Sequence, residues 1–200
     1  MKNTVFVREY SLPPFDKREI LRYAGARSDV PEVVELMESC LDEAQGVFSG
    51  RVCYSEYPMK AFEDSLDLGF CKTESKGLRR VLEGCDGIVL FAATVGVGID
   101  RLIARYSLVS PARSLMLQAI GTERAEALCD IFCRDIAAEK AAAGGVTRPR
   151  FSPGYGDLPL EMQRDIFAAL DCPKHIGVSL GESLLMSPSK SVTAIVGVTK

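Results

Sequence analysis

The stretch Arg150-Phe151-Ser152-Pro153-Gly154-Tyr155 places a permanent cation, a tight turn and an aromatic ring within six residues. The guanidinium of Arg150 is planar, with N–H donors arranged in a fork that matches a carboxylate, so it suits an acidic small molecule held by paired bonds. Pro153 and Gly154 fit the two central positions of a type II turn, because proline presets the first φ and glycine accepts the positive second one. A glycine at that point leaves the backbone open to a ligand, and Tyr155 adds an apolar face with one polar tip. The same local pattern also describes a surface turn with an unrelated arginine. Asp130, in Leu128-Cys129-Asp130-Ile131-Phe132, is a second candidate. Its alternative role is an i to i+4 pair with Arg134 on one helix face, worth roughly 0.2–0.5 kcal/mol.

These side chains need elements to hold them. Pro111 to about Ala142 is the longest helical pattern, with Leu117, Ile120, Leu128, Ile131 and Phe132 on one side and Gly121 as a kink or a close contact. Asp130 lies on it, and Arg150 follows its end. Gly87 to Thr94 is a continuous apolar run between glycines, the pattern of a central strand buried on both faces. It leads into Val95-Gly96-Val97-Gly98 and a helix. Arg101 breaks the G-x-G-x-x-G spacing there, so the turn is read as one that starts a helix close to the sheet rather than as a nucleotide loop.

Upstream, Thr4 to Val7 reads as a strand, Asp16 as the cap of a helix over Lys17 to Tyr23, and Pro31 as the first residue of an amphipathic helix ending before Gly46. Arg51 to Tyr57 suggests a strand and Gly77 to Leu82 a short helix. Downstream, Leu160 to Leu170 is helical, Ile176 to Leu180 and Ser191 to Val198 are strands, and Met186-Ser187-Pro188 shapes a turn. Helices of unequal length interleaved with strands and long irregular segments favour α+β over a regular βαβ series. Residues 1–200 are read as one domain.

Composition narrows the function. A net charge of -3 gives no whole-chain basic field for nucleic acid. No apolar stretch reaches the roughly 20 residues of a membrane span, and Met1-Lys2-Asn3-Thr4 begins no long apolar centre, so neither a membrane nor a secretory signal is expected and the location is read as cytoplasmic. The seven cysteines contain no C-x-x-C pair and read as reduced, buried hydrophobes. Cys129 and Cys133 are four apart on the long helix, but His175 is the single histidine, so no metal site is expected.

Three ordered blocks carry a family resemblance. Arg148-Pro149-Arg150-Phe151-Ser152-Pro153-Gly154-Tyr155-Gly156-Asp157 is similar to the R-x-x-P-G-Y signature of the activation domain of cobalamin-dependent methionine synthase. Phe91-Ala92-Ala93-Thr94-Val95-Gly96 precedes it in the right order, and Leu180-Gly181-Glu182-Ser183-Leu184-Leu185-Met186-Ser187-Pro188, similar to L-x-E-S-x-x-M-x-P, follows. The resemblance runs from about Gly87 to the end. It implies a twisted, mainly antiparallel sheet flanked by helices, and a small free-standing relative that binds S-adenosylmethionine through Arg150, Ser152, Gly154 and Tyr155, with Asp130 near the ligand amine. The implied role is support of reductive remethylation of cobalamin, by positioning rather than by a catalytic side chain.

The chain has no D-x-H-x-x-G, the corrinoid-ligating pattern, so cobalamin is expected on a partner, a corrinoid-binding methyltransferase served by an electron-donor protein. No residue near the start matches the acidic group that larger relatives place there. That gap keeps open the alternative of a non-catalytic binding module for a corrinoid protein, or a metabolite sensor, on the same scaffold. Glu182 is read as a partner for Arg150 or as solvated, and Lys190 as a solvated lysine.

Overall fold

In the computed structural model, which describes residues 3–27 and 30–199, strands alternate with helices of unequal length. In chain order they are β1 (Phe6–Tyr10), α1 (Lys17–Tyr23), α2 (Pro31–Ala44), β2 (Gly50–Pro58), β3 (Lys60–Ala61), β4 (Leu66–Asp67), β5 (Lys72–Thr73), α3 (Lys76–Val81) and β6 (Gly87–Thr94). Then follow α4 (Gly98–Tyr106), α5 (Pro111–Ala142), β7 (Val146–Thr147), a 3-10 turn (Leu160–Met162), α6 (Gln163–Leu170), α7 (Cys172–Ile176), β8 (Ser179–Leu180), β9 (Met186–Ser187) and β10 (Ser191–Thr199). Met1, Lys2 and the rest of the N-terminal reading that falls on them lie outside the described residues.

The main sheet has the order β1-β2-β6-β10-β7, with every neighbouring pair antiparallel. Strands β6 and β10 sit inside it, and successive side chains point to opposite faces. Val89, Phe91 and Ala93 with Ala194 and Val196 enter one core; Ile88, Leu90 and Ala92 with Ile195 enter the other. The first core is closed by α1, α2, α4 and α5, where Phe132 of α5 stacks 4.7 Å from Phe91 and 5.3 Å from Tyr54 between ring centroids. The second holds Leu78 of α3, Ile166 and Leu170 of α6, and Cys172 and Ile176 of α7. Period-2 alternation with both faces covered is why the Gly87 to Thr94 run has almost no polar residue.

Local chemistry sets the helix boundaries. Asp16 Oδ1 accepts the amides of Arg18 at 3.0 Å and Glu19 at 3.2 Å, which fixes the start of α1. Pro31 and Pro111 stand at the first turns of α2 and α5, where a missing N–H costs no helical bond. Gly121 makes a close contact: an added Cβ would lie 3.0 Å from Lys190 Cγ and 3.1 Å from Ile99 Cγ1.

Three expectations are corrected, and one sheet was not anticipated. The first strand starts at Phe6 rather than Thr4 and runs to Tyr10, with Arg8 stacked over Tyr54 and ion-paired to Glu139 of α5 while Glu9 is exposed. Ile176 closes α7 instead of opening a strand; Pro173 in the first turn favours the helix, and only Ser179–Leu180 is extended. Met186–Ser187 is a strand paired with β8, not only a turn. The three two-residue strands β3, β4 and β5 form a separate meander that has too little alternation to be read from sequence. No helix among the described residues is long and apolar enough to cross a membrane.

The approach of α4 to the chain before β2 depends on one missing side chain. An ideal Cβ at Gly98 would lie 2.2 Å from the carbonyl oxygen of Val47. Gly98→Ala is expected to lower the unfolding free energy by about 1–3 kcal/mol, read as a lower urea midpoint at constant slope. An unchanged midpoint would count against this packing.

Candidate functional site

Past the end of α5 the chain runs extended beside β10. The amide of Arg148 donates to Gly197 O at 2.9 Å, and Phe151 exchanges two bonds of 2.9 Å with Ile195. Extended geometry sends neighbouring side chains to opposite faces. Phe151 therefore packs on the second core, while Arg150 reaches across to α5 on the other side. There Nη1 donates to Asp130 Oδ1 at 2.6 Å, and Nη2 bonds Glu126. Glu126 and Asp130 are four apart on α5, so they stand side by side and would repel each other without a cation between them. Burial works against the charge of Arg150, yet the bond to Asp130 and the field of Glu126 outweigh it and hold the guanidinium more firmly protonated than usual.

The Asp130–Arg134 pair read from spacing does not form. Asp130 gives its carboxylate to Arg150, and Arg134 reaches only the Asp130 backbone carbonyl, at 3.4 Å. Glu126 was missed by the sequence reading. The available signal was a like-charge i to i+4 pair on one helix face, which asks for a cation from elsewhere. Burial raises the thiol pKa of both Cys129 and Cys133, so neither is a ready thiolate. Among the described residues no group of three or more His, Cys, Asp or Glu is placed to hold a metal.

The bend takes the expected shape. Tyr155 N–H donates to Ser152 O at 3.1 Å around Pro153 and Gly154, and Gly154 has φ +84, as the second central residue of a type II turn requires. Pro153 is buried, whereas Gly154 and Tyr155 are exposed. The Gly154 amide is used by Leu158 O at 2.9 Å, so its carbonyl and the Ser152 hydroxyl are the groups left to meet a ligand. Tyr155 stands edge-on to Phe151 at 5.6 Å. The structure thus joins Arg150 to Asp130, while Tyr155 lies with Phe151, on the opposite side of the extended segment.

Asp157 anchors this loop. It accepts Ser75 Oγ at 2.5 Å and the amides of Lys76 at 2.6 Å and Gly77 at 3.0 Å, at the start of α3. The Ser75 hydroxyl, aided by those amides, holds the Asp157 carboxyl below its usual range. Of the two readings of Glu182, the solvated one holds: the residue is exposed, it does not partner Arg150, and its backbone carbonyl accepts from Arg164 at 3.5 Å. Lys190 is half-buried over Gly121, bonds Thr122 Oγ1 at 3.1 Å, and has its ammonium pKa lowered by burial.

Beside Arg150's partners lies a cleft of about 320 Å³ between α1 and α5. Its walls are Pro13, Pro14, Asp16, Glu19 and Tyr23 on one side and Glu123, Glu126, Ala127, Asp130 and Arg134 on the other. Five carboxylates line it, but Glu123 is paired with Arg124, Glu19 with Arg22, and Glu126 and Asp130 with Arg150, which bonds two of the lining residues without lining the cleft itself.

A family described as "Vitamin B12 dependent methionine synthase, activation domain" matches residues 78–199. A solved structure titled "Crystal Structure of the MetH Reactivation Domain bound to AdoHcy" superposes with TM-score 0.70 at 20% identity, covering 98% of this chain and 78% of that one. At that identity the likeness establishes the shared α+β architecture. No curated protein is significantly similar in sequence.

The depressed Asp157 pKa makes its anchoring role pH-dependent with a defined sign. A lowered folded pKa stabilises the fold above the unfolded value, about 4, and that contribution disappears as pH falls through the folded value. Asp157→Ala is therefore expected to melt below the parent at neutral pH, with the gap closing on acidification below about pH 4. A gap that stays constant or widens in acid would contradict this.

Proposed function

The chain belongs to the family of vitamin B12 dependent methionine synthase activation domains, and from that membership we propose that it binds S-adenosylmethionine and supports reductive remethylation of a cobalamin carried by a partner protein. The single observation that carries the reading is the Arg150–Glu126–Asp130 group at the edge of an acidic cleft. S-adenosylmethionine presents a carboxylate, an ammonium and a sulfonium. One guanidinium flanked by two carboxylates complements the first two.

Arg150 has five N–H donors, and Asp130 and Glu126 take one each, so donors remain for a ligand carboxylate. Asp130 and Glu126 then stand within one helical turn as acceptors for the ligand amine. Asp16 and Glu19 on α1 face the same cleft and can supply the acidic group that the sequence left unassigned near the start of the domain. Glu19, paired with Arg22, has its pKa lowered and stays ionised. The motif match also assigns the Ser152 hydroxyl, the Gly154 carbonyl and the Tyr155 ring to the ligand, although Tyr155 lies with Phe151 across the extended segment from Arg150, so its contact requires the ligand to pass around the bend.

The chemistry would come from the ligand, whose positively charged sulfur would become a neutral thioether on giving up its methyl group to the partner's cofactor. The protein's part is to bind and orient, so proximity supplies the rate gain and no side chain is assigned a nucleophilic or acid-base role. The partners are a corrinoid-binding methyltransferase and an electron-donor protein, and the setting is cytoplasmic. Both cores lie on one sheet, which supports treating residues 1–200 as one domain.

A second reading, a binding or sensing module without a part in reactivation, is favoured by one observation. Arg150 is already neutralised by two internal carboxylates, as a structural staple would be. Calorimetric titration with S-adenosylmethionine is expected to show binding by the parent and a loss of about tenfold to a hundredfold in Arg150→Ala, the worth of bonds to a charged group. Absence of parental binding, or equal affinity in the variant, would overturn the site. Binding without restored turnover, in an assay with a corrinoid methyltransferase lacking its own activation domain and a reductant, would establish the second reading.

A further inference from the structure

Arg124 is the largest of the fully buried side chains, and it has no place among the ligand contacts proposed above. Its guanidinium forks onto Glu123, with Nε 2.5 Å from Oε2 and Nη2 bonded to Oε1. The same group donates from Nη1 to Pro13 O at 2.5 Å and from Nη2 to Pro14 O at 3.2 Å, above the Phe15 ring at 4.3 Å. Glu123 completes the tie by accepting the amide of Asp16 at 3.2 Å.

The sequence explains why one arginine is needed. Two successive prolines have no N–H, so Pro13 and Pro14 cannot extend the ladder of β1 or join α1, and their carbonyls still require donors. A planar fork can serve a carboxylate and two carbonyls together; a lysine ammonium, a compact point charge, cannot match that geometry. The held segment is also one wall of the cleft: Pro13, Pro14, Asp16 and Glu19 face Glu126 and Asp130.

We propose that Arg124 is a positioning residue for ligand binding: by clamping the Pro13 and Pro14 carbonyls to α5, it sets the spacing between the acids of α1 and those beside Arg150. The affinity half of this inference rests on the S-adenosylmethionine reading. Arg124 touches no ligand itself. Its effect passes through Asp16 and Glu19, whose carboxylates have a defined position only while the segment before α1 is held.

Arg124→Lys keeps a cation opposite the buried Glu123 carboxylate, so the fold is not asked to hold an unpaired charge. Hydrogen exchange should accelerate about tenfold at the amide of Asp16, which Glu123 holds, and at those of Arg18 and Glu19, which Asp16 caps, with those of Leu128 and Phe132 unchanged, and the Kd for S-adenosylmethionine should rise about tenfold. Phe15→Leu, which removes the ring under the guanidinium and leaves the ion pair, should give a smaller change in the same direction. Unchanged exchange at Asp16, Arg18 and Glu19, equal acceleration throughout α5, or faster exchange with an unchanged Kd would each overturn the proposal. Failure of the parent to bind would defeat the ligand reading and the affinity half with it, whereas the exchange comparison would still decide whether Arg124 holds the wall.

Discussion

Burial of the sheet on both faces is the constraint from which the rest of the architecture follows. Because β6 and β10 contribute to two cores at once, every residue along them is committed to one side or the other. A slip of one residue would exchange both sets. The same register extends to the irregular chain beside β10, where the bonds between Phe151 and Ile195 fix which way each neighbour points. Arg150 reaches α5 because Phe151 is committed to the opposite core. The position of the candidate site is thus a consequence of sheet geometry, and the charges were placed on a frame that already existed.

That frame also explains how the two arginines differ. Arg124 is enclosed, uses its donors on Glu123 and two proline carbonyls, and joins segments that are distant in sequence. Arg150 is partly open, with a quarter of its side chain accessible, and its carboxylate partners are more exposed than it is. Enclosed charge pairs fix a geometry at a desolvation cost; open ones can exchange partners with little penalty. The first suits a wall and the second suits a place where a zwitterion arrives.

Much of the fold was legible because its causes are local. Asp16 before Lys17, Pro31 before an apolar stripe, and the glycine-bounded run to Thr94 each specify an element through capping, a tolerated proline or a burial period, and each stands where expected. The turn at Pro153-Gly154 belongs with them. What was not legible depends on tertiary contact. The Glu126 and Asp130 pair asks for a cation but does not say that it comes from 24 residues beyond Glu126, and the anchoring of Asp157 on α3 spans more than 80 positions. The misreading of Lys190 has the same origin, since local composition cannot tell which charged residues of a loop become enclosed. The meander β3-β4-β5 failed for a different reason: two-residue strands have no period to detect.

The outer margins of the main sheet have a consequence for how molecules meet. On one side β7 is only two residues long, and an irregular segment with Pro149 takes over. On the other, β1 offers a longer row of backbone groups but carries Arg8 and Glu9, with Arg8 ion-paired to Glu139 of α5. Short or charged borders discourage a second copy from adding its own strand. In a chain with almost half its residues apolar, these borders are where edge-to-edge pairing would otherwise begin.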